Sequence, residues 1–149
     1  MSADSTTPVS GGCLCGAVRY TANAKSLHVD TCHCSMCRKW TAGPMFALDC
    51  GGSVKVENPD ALGVYRSSDW AERCFCKTCG TSLFYRLVDK PFYAVSAETV
   101  DNNDGFVLTT QIFVDEKPAY YEFANKTKMM TGADVIAAFS AADAGGQHS

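Results

Sequence analysis

Short segments in which apolar and polar positions alternate, or in which β-branched and aromatic residues dominate, recur along the chain between glycine-containing stretches. Such a pattern predicts strands. The segments that fit it are 17–22, 44–49, 53–57, 62–66, 71–75, 81–86, 92–97 and 106–114. The Cys-Gly segments at 50–52 and 79–81 predict turns.

Helical patterns are sparse. Residues 35–40 fit a short helical turn, and GADVIAAFSAA at 132–142 fits a short helix near the end of the chain. We therefore predict a mainly β fold whose strands are joined by cysteine-bearing turns.

Composition indicates a globular domain. The 149 residues suffice for one domain with a modest core, and 46% of them are hydrophobic and 19% charged. We expect a flexible leader at 1–10, a single domain at 11–140 and a flexible tail at 141–149. The polar N-terminus lacks the apolar region of a secretion signal, and no apolar stretch reaches the roughly 20 residues of a membrane span. We expect a cytoplasmic protein without a membrane partner.

Net charge argues against a nucleic-acid partner. Thirteen Lys and Arg stand against sixteen Asp and Glu, which gives a formal charge of −3. The longest basic run is Arg38-Lys39, so the sequence lacks the basic, aromatic-interleaved face typical of nucleic-acid binding.

Nine cysteines are the unusual feature of the composition. Without an export signal, metal binding is a better interpretation than disulfides. Seven of the nine fall into tight motifs, namely C-x-C at Cys13 and Cys15, C-x-C-x-x-C at Cys32, Cys34 and Cys37, and C-x-x-C at Cys76 and Cys79.

A structural zinc site uses four protein ligands, and neither the first nor the third motif supplies four alone. Together they do, in glycine-containing turns that resemble the two knuckles of a zinc ribbon. The alternatives are burial as small hydrophobic residues and a redox C-x-x-C, but the helical βαβ setting typical of such a redox motif is absent.

The central motif leaves three cysteines, as in a catalytic zinc site with one position open to substrate. Alternatively, Cys50, Cys74 or His33 completes a second closed site. His33 is sterically awkward as a ligand between two ligand cysteines, which favours a role as spacer or hydrogen-bonding neighbour.

Three thiolates make zinc a weaker Lewis acid than neutral imidazoles do, so binding a substrate thiol as thiolate suits the site better than activating water. A zinc deaminase would need an H-x-E motif. His33 is followed by Cys34-Ser35 and His28 by Val29-Asp30, so that class is excluded.

The residues after the central motif are candidate substrate contacts. Arg38 and Lys39 could hold the carboxylates of a small anionic thiol, and Trp40 could line the site. Their alternatives are solvated surface charges and a core or rim aromatic.

GGCLCGAVRY, CHCSMCRKW and RCFCKTCGTSLFY together resemble the three signatures of the glutathione-dependent formaldehyde-activating enzyme family, also called the CENP-V/GFA domain. VYRSSDWAERCF and IFVDEKPAYY also resemble family segments, so the resemblance spans about residues 11–132. It implies an Mss4-like β fold of antiparallel strands that holds two zinc ions, one structural and one catalytic.

By position, Cys13, Cys15, Cys76 and Cys79 match the structural zinc ligands, and Cys32, Cys34 and Cys37 match the catalytic ligands. The implied activity is that of a carbon–sulfur lyase, the reversible joining of glutathione and formaldehyde as S-hydroxymethylglutathione. Two positions depart from the family pattern: Gln111 replaces a frequent histidine, and Ser82 replaces a frequent proline.

Two other function classes compete with the lyase. A non-catalytic zinc module could bind a protein or nucleic-acid partner, and a thiol redox or metal-storage protein could use exposed thiolates of the central motif.

Overall fold

The computed structural model describes residues 5–145, with side chains to residue 140. Its described residues form two compact units. The first unit runs to Val29 and resumes at Phe46–Val107, and the second comprises Asp30–Met45 and the residues from Leu108 on. The predicted boundaries of one domain at 11–140 stay a prediction.

Eleven strands, two α-helices and three short 3-10 helices are the regular elements of the described residues. The strands are β1 (Thr7–Gly12), β2 (Arg19–Ala24), β3 (His28–Cys32), β4 (Met45–Asp49), β5 (Lys55–Val56), β6 (Leu62–Arg66), β7 (Ala71–Cys76), β8 (Ser82–Leu87), β9 (Tyr93–Ser96), β10 (Val107–Ile112) and β11 (Lys128–Met130). The α-helices are α1 (Ser35–Thr41) and α2 (Gly132–Gly145), and the 3-10 helices span Pro59–Ala61, Ala97–Thr99 and Val114–Glu116. The mainly β class with a short C-terminal helix is thereby confirmed.

In the first unit, β1, β2 and β5 form a small antiparallel sheet, and β4, β9, β8, β7 and β6 are neighbours in that order. β2 alternates buried and less buried residues, as a strand with one face on a core must. The register pairs Thr7 with Ala24 and Gly12 with Arg19. Residues 7–10, expected in a flexible leader, thus form the first part of β1.

The core of the first unit contains Tyr20, Leu48, Leu83, Phe84 and Val95, all fully buried. The Tyr20 and Phe84 rings meet edge to face, with centroids 6.1 Å apart. Burial of each such side chain contributes about 1.5–3 kcal/mol. This core supports the strands that carry the first and third cysteine motifs.

In the second unit, β10 lies between β3 and β11, and β11 pairs with it in parallel. Helix α2 begins with a reciprocal cap, in which the Thr131 hydroxyl accepts from the Asp134 N–H and the Asp134 carboxylate accepts from the Thr131 N–H. Helix α1 is longer by one residue than predicted, and it follows directly on the central cysteine motif. Within residues 5–145, no helix is long and apolar enough to cross a membrane.

Candidate metal centres

The structure brings Cys13, Cys15, Cys76 and Cys79 into one cluster whose Sγ atoms all lie within 4.8 Å of one another. Cys15 Sγ is 3.7 Å from Cys13 Sγ and 3.8 Å from Cys76 Sγ. Four sulfurs at tetrahedral corners, each about 2.3 Å from one ion, would lie about 3.8 Å apart. The spacing and the soft donor set therefore fit a zinc ion.

Backbone N–H groups point at the sulfurs of this cluster. The Val18 N–H donates to Cys13 Sγ at 3.2 Å, and the Thr78 and Cys79 N–H groups each donate to Cys76 Sγ at 3.3 Å. Gly80, at φ +81°, closes the β7–β8 turn in the left-handed region that favours glycine. The turns thus offset part of the charge that thiolates would carry.

The thiols of the cluster do not titrate alike. Hydrogen bonds from the Thr81 side chain and backbone lower the pKa of Cys79 to about 5. For Cys15, the Ala17 N–H lowers the pKa, but desolvation and the neighbouring sulfurs outweigh it and raise the pKa to about 11. Thiolates crowded in this way repel one another, so a cation is needed for all four to ionise together.

Cys32, Cys34 and Cys37 form the second cluster, again with Sγ atoms within 4.8 Å of one another. Cys34 is the N-cap of α1, and its Sγ accepts from the Cys37 N–H at 3.4 Å. The hydrogen bond with Cys32, that with Cys37 and two backbone N–H groups hold the Cys34 pKa far below its usual range. The same contact with Cys34 raises the Cys32 pKa.

No fourth Cys, His, Asp or Glu joins this second cluster among residues 5–140. Cys50 and Cys74, the alternatives left open by the sequence, belong to neither cluster. Both are buried, and burial raises their pKa values to about 12 and about 11. They are core cysteines.

His33 is fully buried, and both of its ring nitrogens have partners. Nδ1 lies 2.7 Å from Tyr121 Oη, and Nε2 lies 2.8 Å from Gln111 Oε1. Burial lowers the His33 pKa, and the positive charges of Lys117 and Arg38 lower it further, against the effect of Gln111. His33 is therefore a hydrogen-bonding neighbour of the cluster, with no nitrogen left for a metal.

The candidate substrate contacts occupy different environments. Arg38 is half-buried, and its Nε donates to the His33 carbonyl at 2.8 Å. Lys39 is exposed, and Trp40 is half-buried. Arg38 therefore also supports the backbone between two of the clustered cysteines.

Sequence reasoning assigned no hydrogen-bonding role to four residues around the clusters. Tyr121 and Gln111 hold His33, the Glu116 carboxylate accepts from the Ser35 N–H at 2.8 Å, and Thr81 Oγ1 accepts from the Leu14 N–H at 3.1 Å. The available signals were the departure of Gln111 from the family pattern and the likeness to family segments of IFVDEKPAYY, which contains Glu116 and Tyr121, and of RCFCKTCGTSLFY, which contains Thr81. Ser82, the other departure, begins β8 opposite Phe75, where the β7–β8 register shifts.

The comparisons with known proteins agree with the motifs. A sequence model of the glutathione-dependent formaldehyde-activating enzyme family matches residues 8–116, which include all seven clustered cysteines and Gln111. The chain belongs to this family. The resemblance drawn from the three cysteine signatures is thereby confirmed.

One relative and one solved structure illustrate the extent of the likeness. The chain is 36% identical over 127 residues to an uncharacterized lyase of Schizosaccharomyces pombe, a span that covers 85% of this chain and 93% of that protein. A crystal structure of a Rhodobacter sphaeroides protein from a structural genomics programme aligns with a TM-score of 0.55 and 24% identity, covering 62% of this chain and 88% of that one. The second likeness supports the fold alone.

Proposed function

We propose that this protein is a zinc-dependent carbon–sulfur lyase that forms or cleaves S-hydroxymethylglutathione or a related thiol–aldehyde adduct. Membership of the glutathione-dependent formaldehyde-activating enzyme family supports the substrate class. The observation that carries the proposal is the difference between the clusters, since one has four cysteines and the other has three with no further ligand among residues 5–140.

Cys13, Cys15, Cys76 and Cys79 are proposed as structural zinc ligands. Four thiolates complete a tetrahedral shell and leave no position for a substrate. In the first unit, such an ion would link the β1–β2 turn to the β7–β8 turn. Its role would be to stabilise the fold.

Cys32, Cys34 and Cys37 are proposed as the ligands of a catalytic zinc ion. These three thiolates would hold zinc with one position left for the sulfur of glutathione, and the ion would supply charge that favours the thiolate form of that sulfur. The chain's own part is to fix the three sulfurs, through the N-cap position of Cys34 and the hydrogen bonds around His33.

The proposed reaction joins two small molecules without an external oxidant or reductant. The glutathione sulfur forms a bond to the formaldehyde carbon while the carbonyl π bond opens onto oxygen. The thiol proton ends on that oxygen, which gives the hydroxymethyl thioether, and cleavage is the reverse. Holding both reactants in one orientation would contribute to the acceleration of such an addition.

Arg38, Lys39 and Trp40 are proposed to bind the substrate. Glutathione carries carboxylates, and the exposed Lys39 ammonium is open to such a group. The Arg38 guanidinium donates a hydrogen bond through Nε to the His33 carbonyl, and its other two nitrogens share the positive charge of the group. The half-buried Trp40 would supply apolar contact.

The test compares metal content and thiol response in three proteins. We expect two zinc ions per chain in the wild type, one in Cys34→Ser, and two in Cys50→Ser, the matched control at a buried cysteine outside both clusters. With cobalt in place of zinc, glutathione should change the thiolate-to-cobalt charge-transfer band of the wild type and of Cys50→Ser. Exchange of formaldehyde with S-hydroxymethylglutathione, followed by NMR, should be accelerated by the same two proteins.

A cobalt spectrum indifferent to glutathione in a wild type that binds two ions would refute the lyase. The protein would then be a non-catalytic zinc module, and its ligand would have to be sought among protein or nucleic-acid partners.

A further inference from the structure

We infer that Gln111 is a positioning residue: it fixes the tautomer of His33 and, through that ring, the geometry of the three-cysteine cluster. This inference rests on the proposed function, because it assigns a role toward the metal that Cys32, Cys34 and Cys37 would hold. The evidence is a chain of side-chain hydrogen bonds in the second unit, in which each side chain donates a hydrogen bond to the next in the same direction.

The donor and acceptor roles along this chain of hydrogen bonds are set at the end formed by Thr127 and Met129. The Thr127 hydroxyl donates to Met129 Sδ at 3.7 Å, so its oxygen accepts from Gln111 Nε2 at 2.9 Å. The amide nitrogen of Gln111 is thereby turned toward Thr127, and its Oε1 faces His33 Nε2 at 2.8 Å. An amide oxygen can only accept, so His33 Nε2 must carry the hydrogen.

The role of the other ring nitrogen of His33 follows from this assignment. A neutral imidazole has one N–H, so Nδ1 is an acceptor, and the Tyr121 hydroxyl donates to it at 2.7 Å. Both Gln111 and His33 are essentially inaccessible to solvent, at 1% and 0% exposure. Water therefore cannot replace either partner without a rearrangement of the core.

The backbone of His33 is held as firmly as its ring. Its N–H donates to the Ile112 carbonyl at 3.1 Å, and its carbonyl accepts from Arg38 Nε at 2.8 Å. All the polar groups of this residue are therefore engaged. Since His33 lies between Cys32 and Cys34 in the sequence, its orientation sets the directions from which two of the three sulfurs approach a metal.

Groups that position metal ligands typically change metal affinity about 10–100-fold when removed. Gln111→Met keeps the length of the side chain and removes the acceptor, so we expect about a 10-fold loss of cobalt affinity at the three-cysteine cluster. Gln111→Glu keeps an acceptor oxygen toward His33, and its loss should be smaller. The four-cysteine cluster of the same molecule serves as an internal control, and its cobalt affinity should be unchanged.

A second pair of variants tests the other end of the ring. Tyr121→Phe removes the donor to His33 Nδ1 and should also weaken the three-cysteine site. Tyr20→Phe is its matched control, since the buried Tyr20 hydroxyl bonds Thr99 at 2.7 Å in the first unit. It should leave the cobalt affinity of the three-cysteine cluster within about twofold of the wild type.

The tautomer itself is read by ¹⁵N NMR of the histidine side chains in the zinc-loaded protein. We expect a protonated Nε2 and an unprotonated Nδ1 for His33 in the wild type, and loss of this fixed pattern in Gln111→Met. An Nδ1–H tautomer in the wild type would overturn the inference, as would unchanged cobalt affinity in both Gln111→Met and Tyr121→Phe. A wild type that binds no second cobalt ion would instead refute the proposed function, and the positioning role with it.

Discussion

Cys15 Sγ and Cys76 Sγ lie 3.8 Å apart although 61 positions separate these residues in the sequence. The contact joins the turn after β1 to the end of β7. The Leu14 N–H also donates to Thr81 Oγ1 at 3.1 Å between these two turns, but thiolates crowded there would repel one another, so we expect the stability of the first unit to depend on a bound cation. Chelation should therefore lower its stability as well as remove a metal.

Replacing Cys76 tests this dependence. Cys76→Ser should lose one zinc ion per chain and lower the unfolding midpoint in urea, because ion binding to the folded state alone contributes about 4 kcal/mol at 1,000 times the dissociation constant. Metal analysis and urea melts check both. Cys74→Ser is the matched control in the same strand, buried but outside both clusters. If Cys76→Ser kept two ions, the four-cysteine site would be wrong.

The ion pair between Arg19 and Asp101 predicts a pH effect. Two hydrogen bonds of 2.9 and 2.5 Å from the guanidinium lower the Asp101 pKa below its ordinary 3.8. The pKa of Asp101 is lower in the folded protein than in the unfolded chain. The ion pair therefore stabilises the fold above pH 3.8, and this stabilisation is lost as the pH falls through the pKa of the folded state. Both side chains are partly exposed, so the effect on stability is small.

A ¹³C NMR titration of the Asp101 carboxyl measures the shift directly. In Arg19→Gln the Asp101 pKa should return toward its ordinary value, whereas Lys55→Gln, which removes the same charge elsewhere, should leave it low. An Asp101 pKa that is the same in wild type and Arg19→Gln would contradict the ion pair.

The strands with strong apolar patterns were predictable from the sequence. Residues 62–66 were predicted as a strand and form β6 with the same bounds. β1, β3 and β11 were missed. TPVSGG in β1 is polar and rich in glycine, and its structure depends on pairing with β2, a contact that no local pattern encodes.

The cysteines of each cluster were predictable from the sequence, whereas the hydrogen-bond partners around the three-cysteine cluster were not. Cysteine spacing sufficed to divide seven residues into four and three, because ligands in one turn are close in sequence. The partners of His33 were out of reach, since Gln111 and Tyr121 lie 78 and 88 positions away. Only the packing of β10 and the segment after it brings them to the ring.

Gly11 lies where the backbone admits no side chain. A Cβ at this position would stand 2.2 Å from the Thr99 carbonyl oxygen and 2.5 Å from Tyr20 Oη. Gly11→Ala should therefore destabilise the fold by about 2 kcal/mol or more, because the carbonyl belongs to the backbone and cannot swing aside. Gly43→Ala, with open space around its Cβ, should stay within about 0.5 kcal/mol in the same urea melts. Equal midpoints for the two variants would refute the close approach.

Lys39 offers a direct test of how glutathione would be held. An exposed ammonium paired with a carboxylate contributes about 0.2–1 kcal/mol, so Lys39→Gln should raise the KM for glutathione about 1.4- to 5-fold and leave kcat unchanged. The difference from the wild type should shrink in high salt, because screening weakens an exposed pair. Lys55→Gln, also at an exposed lysine, removes the same charge and should leave KM unaltered. A fall in kcat with constant KM would instead place Lys39 in contact with the reacting atoms.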